Sequence, residues 1–162
     1  MTGFFKDKTA CFSGHRQIER GHEKPLEAEL LAEVERLINL GYRMFISGVA
    51  LGFDTMAARC VLELKQKHDI KLIAAIPYVG QADRWNDRDR QRYFDILKQC
   101  DETVCISTAL SPGCYKERNK FMVDNSSAII TYFVKDKTGT AQTINYASQK
   151  EIKITNLHDK MP

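Results

Sequence analysis

Met44-Phe45-Ile46-Ser47-Gly48-Val49-Ala50-Leu51-Gly52-Phe53-Asp54-Thr55 reads as an apolar strand that runs through two glycines into a helix opening with Asp54 and Thr55. A turn of this kind presents backbone N–H groups. The first helical turn has no internal partners for them and carries the positive end of the helix dipole, so a phosphate or carboxylate is favoured there. The design recurs twice. Ala10-Cys11-Phe12-Ser13-Gly14-His15-Arg16 is a short apolar run ending in a Gly turn, and Gly139-Thr140 follows the apolar run from Ala128 to Val134 and precedes a helical pattern. Three strand-to-turn junctions of one kind suggest a nucleotide site.

Outward from these junctions, strand signals fall at Thr9 to Ser13, Arg43 to Ser47, Lys71 to Ile76, Thr103 to Ser107, Ala128 to Val134 and Ile152 to Thr155. Helical patterns lie between them. Pro25 to Leu40 is the clearest, with Leu26, Leu30, Leu31, Val34, Leu37 and Ile38 on one face and Gly41 beyond its end. Met56 to Lys67, Arg88 to Lys98, Tyr115 to Asn125 and Thr140 to Lys150 supply four more. Strand and helix alternate, which predicts a mainly parallel sheet covered on both faces, with ligands bound outside the carboxyl ends of the strands. The irregular stretch from Pro77 to Asp87 holds the only tryptophan, Trp85, which either covers a planar ligand or anchors the loop on the core.

The 162 residues are 43% hydrophobic and 28% charged, enough for one domain spanning 1–162 with a real core. A net charge of +3 is too small to imply nucleic-acid binding. Of the five cysteines, Cys11, Cys60 and Cys105 lie in apolar runs, which suits reduced thiols and a cytoplasmic location. The first eight residues lack the apolar centre of a signal peptide, and no run reaches the ~18 apolar residues of a membrane span, so no membrane partner is expected.

Ser13, Gly14, His15 and Arg16 leave the first strand where a ligand-facing loop belongs. Arg16 can pair with a phosphate through two parallel hydrogen bonds, and Ser13 and the Gly14 backbone add neutral donors. His15 either bonds a ribose or phosphate or orients the loop. The spacing Gly48-x-x-x-Gly52-x-Asp54 is neither G-x-G-x-x-G nor a P-loop, which disfavours a nicotinamide dehydrogenase or a phosphate-transfer enzyme. Asp54 either caps the helix, the commoner use of an Asp there, or accepts from ribose hydroxyls. Spacing alone makes the segment around Arg118 and Asn119 a solvated basic helix. Cys100, Cys105 and Cys114 are not at C-x-x-C spacing, the four histidines form no H-x-x-x-H pair, and no G-x-S-x-G turn occurs. Neither a metal, a cofactor nor covalent catalysis is expected.

Taken together, Ser13-Gly14-His15-Arg16, the turn from Ser47 to Asp54, Pro77 after the third strand, Arg118-Asn119 with Met122-Val123-Asp124, and Gly139-Thr140 followed by Ala147 resemble the SLOG superfamily, and within it the YpsA-like group of small bacterial and phage proteins. The resemblance spans almost the whole chain in the right order. It implies a Rossmann-like three-layer α/β/α sandwich that binds nucleotides or nucleotide-derived ligands, and a homodimer. The superfamily includes the DNA-processing protein A group, which binds single-stranded DNA, and the lonely-guy phosphoribohydrolases, which release a base from a nucleotide monophosphate. The resemblance makes Gly14, Arg16, Ser47, Gly48, Gly52, Asp54, Arg118, Asn119, Gly139 and Thr140 binding-site candidates.

Lonely-guy enzymes carry P-G-G-x-G-T-x-x-E, whereas this chain has Gly139-Thr140-Ala141-Gln142-Thr143 after Lys135-Asp136-Lys137-Thr138, without the glycine-rich approach or the glutamate. A carboxylate for N-glycosidic cleavage would have to come from Asp54, Glu117 or Asp124. The leading expectation is therefore a sensor or sequestering module for a nucleotide-derived small molecule. The alternatives are a nucleotide N-glycosidase and single-stranded DNA binding, the latter disfavoured by low net charge and scattered aromatics.

Overall fold

A computed structural model of the chain describes residues 5–134 and 139–162. Strands β1 (Thr9–Gly14), β2 (Met44–Ser47), β3 (Lys71–Tyr78), β4 (Glu102–Ser107), β5 (Ala128–Tyr132) and β6 (Lys153–Asn156) form one sheet in the order β4-β3-β2-β1-β5-β6. Every pairing is parallel. Helices α1 (Glu23–Asn39), α2 (Phe53–Lys65), α3 (Asp87–Gln99), α4 (Cys114–Asp124) and α5 (Gly139–Gln149) follow the first five strands in turn. Each predicted element is present, with ends displaced by no more than three residues.

Alternation along the strands divides the core into two layers. Ala10, Phe12, Phe45, Leu72, Ala74, Ile130 and Tyr132 face α1, α2 and α3, together with Leu26, Leu30, Val34, Ala57 and Val61. Cys11, Ile46, Ile73, Ala75 and Ile129 face the other way, onto Met122 and Val123 of α4 and Ala147 of α5. The inner strands are buried on both sides, which is why they read as continuous apolar runs, while edge strands β4 and β6 stay partly exposed.

Two local features depart from the sequence reading. β3 continues through Pro77 to Tyr78 rather than ending at Ile76. The last β3 residue paired with β2 is Ala74, so Pro77 has only β4 beside it and its missing N–H costs no ladder bond on the other side. The loop that follows is correspondingly shorter, and Trp85 sets its ring edge against Tyr93 at 5.2 Å, which settles it as the anchor on the core. α2 also begins earlier than its apolar pattern, because Gly52 at φ +83 lets the chain enter the helix at Phe53.

Chain direction reverses beside β1. The connections β1-α1-β2, β2-α2-β3 and β3-α3-β4 all step one way across the sheet, and β5 then returns to the far side of β1. A crevice opens at the carboxyl edge wherever successive connections diverge like this, so the end of β1 is where the topology places a ligand.

Candidate ligand site at the sheet switch point

A cavity of about 580 Å³ occupies that position. Ser13, Gly14, His15 and Arg16 reach it from the end of β1, Asp54 from α2, Arg118 and Asn119 from α4, and Gly139 and Thr140 from α5. The structure thus gathers nine of the twelve predicted residues around one cavity. Ser47, Gly48 and Gly52 do not line it, and Gly52 borders a neighbouring cavity on the other side of Arg16. Gln17, Ala50 and Tyr115 line it without having been singled out.

Several of the amide donors that the sequence around the turn from Gly48 to Gly52 offers are spent inside the protein. The Val49 amide donates to Ser47 Oγ at 3.1 Å, the Phe53 amide to the His15 carbonyl at 3.1 Å, and the Thr55 amide to the Ala50 carbonyl at 3.1 Å. Ser47, wholly buried, also donates from Oγ to the Asp54 carbonyl at 2.9 Å, so it braces the turn and does not meet the cavity. Val49 is held at φ +50, an uncommon conformation for a β-branched residue that costs about 1–3 kcal/mol. The turn is a strained support several of whose amides are already spent.

What it supports is an acid. Asp54 does not cap α2, since Gly52 holds the cap position without a side-chain bond. Its carboxylate is 6% exposed, and Oδ1 has no hydrogen-bond partner. Burial pushes Asp54 up to about 6, with the Arg118 guanidinium, the backbone at Ala50 and Gly14, and then Arg16 pulling the other way. A buried carboxyl with an unspent acceptor in a cleft is the kind of group found at functional sites.

That shift predicts how stability responds to pH. Because the folded pKa lies above the unfolded value of 3.8, the folded state holds the proton more tightly, and this group's stabilising contribution is full below about pH 4 and lost as pH rises to about 6. Asp54→Asn removes that dependence. The stability difference between wild type and Asp54→Asn should shift by about 3 kcal/mol against wild type between pH 3.5 and pH 7. Urea denaturation across that range checks it, and a pH-independent difference would place the Asp54 carboxyl in water.

Arg118 is not on a solvated face, as its spacing suggested, but 5% exposed. Nη1 donates to the carbonyls of Gly48 (3.1 Å) and Ala75 (3.2 Å) and to Gln81 Oε1 (3.3 Å), and Nε donates to Asn119 Oδ1 (2.8 Å). Gly48 is required for this approach, since a Cβ there would stand 2.7 Å from Nη1 and 3.1 Å from Asp54 Oδ2. Gln81 completes the arrangement by donating Nε2 to the same Gly48 carbonyl at 3.2 Å. No local pattern in the 77–87 stretch marks Gln81, because its role depends on strands distant in sequence.

The remaining lining residues divide by exposure. His15 lines the cavity, and its Nε2 accepts the Val134 amide at 2.8 Å, which ties the β1 loop to the segment after β5. Arg16 is exposed at the rim and, among the described residues, makes no side-chain hydrogen bond or ion pair. Tyr115 is half-buried, edge-on to Tyr78 at 6.2 Å and under the Arg118 guanidinium at 5.7 Å. Its spacing of three from Arg118 on one helix is the signal by which it could have been found. Glu117 and Asp124 are exposed, and Asp124 accepts the Tyr146 hydroxyl at 2.6 Å, so of the three carboxylates considered only Asp54 lines the cavity. Lys135-Asp136-Lys137-Thr138 lies outside the described residues.

An all-parallel sheet with a polar cavity at its switch point defines a Rossmann-like α/β protein. The chain belongs to the YspA SLOG family, whose model, YpsA, matches residues 11–160. It is 35% identical over 139 residues to the SPbeta prophage-derived protein YoqJ of Bacillus subtilis, covering 76% of this chain and 81% of that one. Among solved structures it is similar to DNA processing protein A from Streptococcus pneumoniae, with a TM-score of 0.68 and 19% identity over 92% of this chain. DNA processing protein A from Helicobacter pylori, solved to show its single-stranded DNA binding mode, gives a TM-score of 0.66 at 16% identity, also over 92% of this chain. The chain spans 50% and 64% of those two proteins, and at such identities the likeness is one of fold. Among the described residues, no helix is long and apolar enough to cross a membrane.

Proposed function

We propose that the cavity binds a nucleotide or nucleotide-derived small molecule and that the protein serves as a sensor or sequestering module in a reducing, cytoplasmic setting. The observation that carries this reading is Asp54, buried beside the cavity with an acceptor oxygen left unspent. A carboxylate in that position suits the paired hydroxyls of a ribose, which donate to acceptors. Arg16, without a side-chain partner among the described residues, supplies a charge for phosphate at the rim, and Tyr115 offers a ring face for a base. None of the five cysteines forms a disulfide, which accords with the proposed compartment.

One observation favours a second reading. A carboxyl poised at about 6 is near the range of a general acid or base at neutral pH, so Asp54 could assist cleavage of an N-glycosidic bond. The single-stranded DNA binding of the Helicobacter pylori protein adds an oligonucleotide to the candidates.

Thermal stability of the purified protein against nucleoside mono-, di- and triphosphates, ADP-ribose, NAD, cyclic nucleotides and a short oligonucleotide tests all three, with base release assayed in the same wells. A ligand at ~100 times its dissociation constant stabilises by about 2.7 kcal/mol. We expect a shift from a nucleotide-derived compound without turnover. Arg16→Ala, which removes an exposed and unpaired side chain, should leave the unliganded protein as stable and weaken an anionic ligand by ~1.5–3 kcal/mol. Base release would replace the binding reading with the glycosidase, and a shift only from the oligonucleotide, with steep salt dependence, would replace it with DNA binding. No shift from any compound would remove the cavity as the site.

A further inference from the structure

Away from the cavity, on the α1 side of the sheet, Glu19, His22 and His158 bring one ligand atom each to within 4.8 Å of one another. Sequence spacing shows only Glu19 and His22, three residues apart, because His158 lies 139 residues from Glu19 and meets it only in the fold. We propose that Glu19, His22 and His158 form a binding site for a divalent transition-metal ion, with zinc the best match, which clamps the segment after β1 to the C-terminal turn.

Two separate anchors hold the group, one for Glu19 and His22 and another for His158. Glu19 and His22 belong to one turn, closed by the His22 amide donating to the Glu19 carbonyl at 2.9 Å. His22 is buried, and its Nδ1 is bonded to the Tyr132 hydroxyl at 2.8 Å, which turns Nε2 toward the Glu19 carboxylate. That hydroxyl also accepts the Glu19 amide at 3.1 Å, so one buried tyrosine sets both the acid and the imidazole. A metal-binding histidine held through its second nitrogen is the usual arrangement. His158 sits in the terminal 3-10 turn Leu157–Lys160, anchored by the wholly buried Leu157 and by its own amide donating to Asn156 Oδ1 at 3.2 Å. Asn156 is itself bonded both ways to the backbone of Phe133.

The distances leave room for an ion to replace the direct contacts with the carboxylate. His22 Nε2 lies 3.5 Å from Glu19 Oε2, and His158 Nε2 lies 3.2 Å from Glu19 Oε1. Charge-assisted hydrogen bonds are shorter, about 2.7–2.9 Å. Ligand bonds of about 2.0–2.1 Å in tetrahedral geometry put neighbouring donors about 3.3–3.4 Å apart, between the two separations seen here. Two imidazoles and one carboxylate suit zinc or a neighbouring first-row ion, whereas calcium and magnesium prefer all-oxygen sets. Glu19 and His158 are partly exposed, so ions have a path in and water can fill a remaining position.

The test uses the full chain, stripped with a chelator and titrated with Zn²⁺ by calorimetry and with Co²⁺ by absorption. The expected result is one ion per chain, a raised melting temperature, and a tetrahedral Co²⁺ spectrum without thiolate charge-transfer bands. His158→Ala and Glu19→Gln should each weaken binding by at least about tenfold. Both change partly exposed side chains, so they spare the fold that His22→Ala puts at risk. His68→Ala, a histidine paired elsewhere with Glu35, should bind as wild type. Absence of binding, binding indifferent to His158→Ala, or a thiolate spectrum each overturns the proposal.

Discussion

Gly52→Ala lowers the stability of the chain by about 3 kcal/mol or more, a large share of the ~5–15 kcal/mol that keeps a domain folded. Two costs add. The backbone at φ +83 is one that an L side chain adopts with strain, about 1–2 kcal/mol. A Cβ there would also collide with the Arg16 carbonyl oxygen, which belongs to the backbone and cannot rotate away. The His15 carbonyl beside it is already committed to the Phe53 amide, so the β1 loop cannot retreat without exposing the start of α2. Gly21→Ala and Gly113→Ala supply the control. Both sit at positive φ (+87 and +78) with nothing within 4 Å of the added carbon, and should lose only the conformational part. Urea denaturation of the three variants separates the terms, and equal losses would show that the contact with Arg16 is of no consequence.

Arg118→Met should cost about 3–5 kcal/mol at neutral pH. Methionine fills a comparable volume but leaves the Gly48 and Ala75 carbonyls, Gln81 Oε1 and Asn119 Oδ1 without the donor they share. It also takes away the largest influence holding Asp54 down, so that carboxyl should titrate higher still and be more protonated at pH 7. Arg118→Lys should recover part of the loss, because a single ammonium can reach some of these acceptors but not span them. Chemical denaturation at pH 7 and a direct titration of Asp54 by NMR provide the readouts. A loss under about 1 kcal/mol would mean that Arg118 acts on a ligand alone and not on the fold.

The order of elements was legible because a doubly covered parallel sheet leaves a strong trace: short apolar runs such as Ala10 to Phe12 alternate with amphipathic helices such as α1. The residues gathered around the cavity were legible for a related reason, since topology places every strand end at one edge. What failed to show was anything decided across the sheet. The turn at Gly48 looked like a cradle of free amides because the carbonyls that consume them, from His15 and Ala50, come from a neighbouring strand end and from the turn itself. Arg118 looked solvated because its acceptors lie in the turn after β2, on β3 and in the loop after β3. His22 and His158 looked unrelated because 136 residues separate them in the chain (158 − 22), although their rings stand 5.5 Å apart in the fold.

The sheet order also fixes when the protein can finish folding. β1 is made first, yet its neighbour on one side, β5, pairs Ala128 with Ala10, a separation of 118 positions (128 − 10). As the chain leaves the ribosome, β1 to β4 can assemble into four of the six strands while the far edge of β1 waits for its partner, with Cys11 of β1 and Ile46 of β2 on the face that α4 and α5 later cover. Such long-range parallel pairing is slow to form and leaves an adhesive edge in the meantime. Nascent chains stalled before residue 128 should therefore be the species that associates with itself or recruits chaperones, and release of β5 should end that exposure in one step.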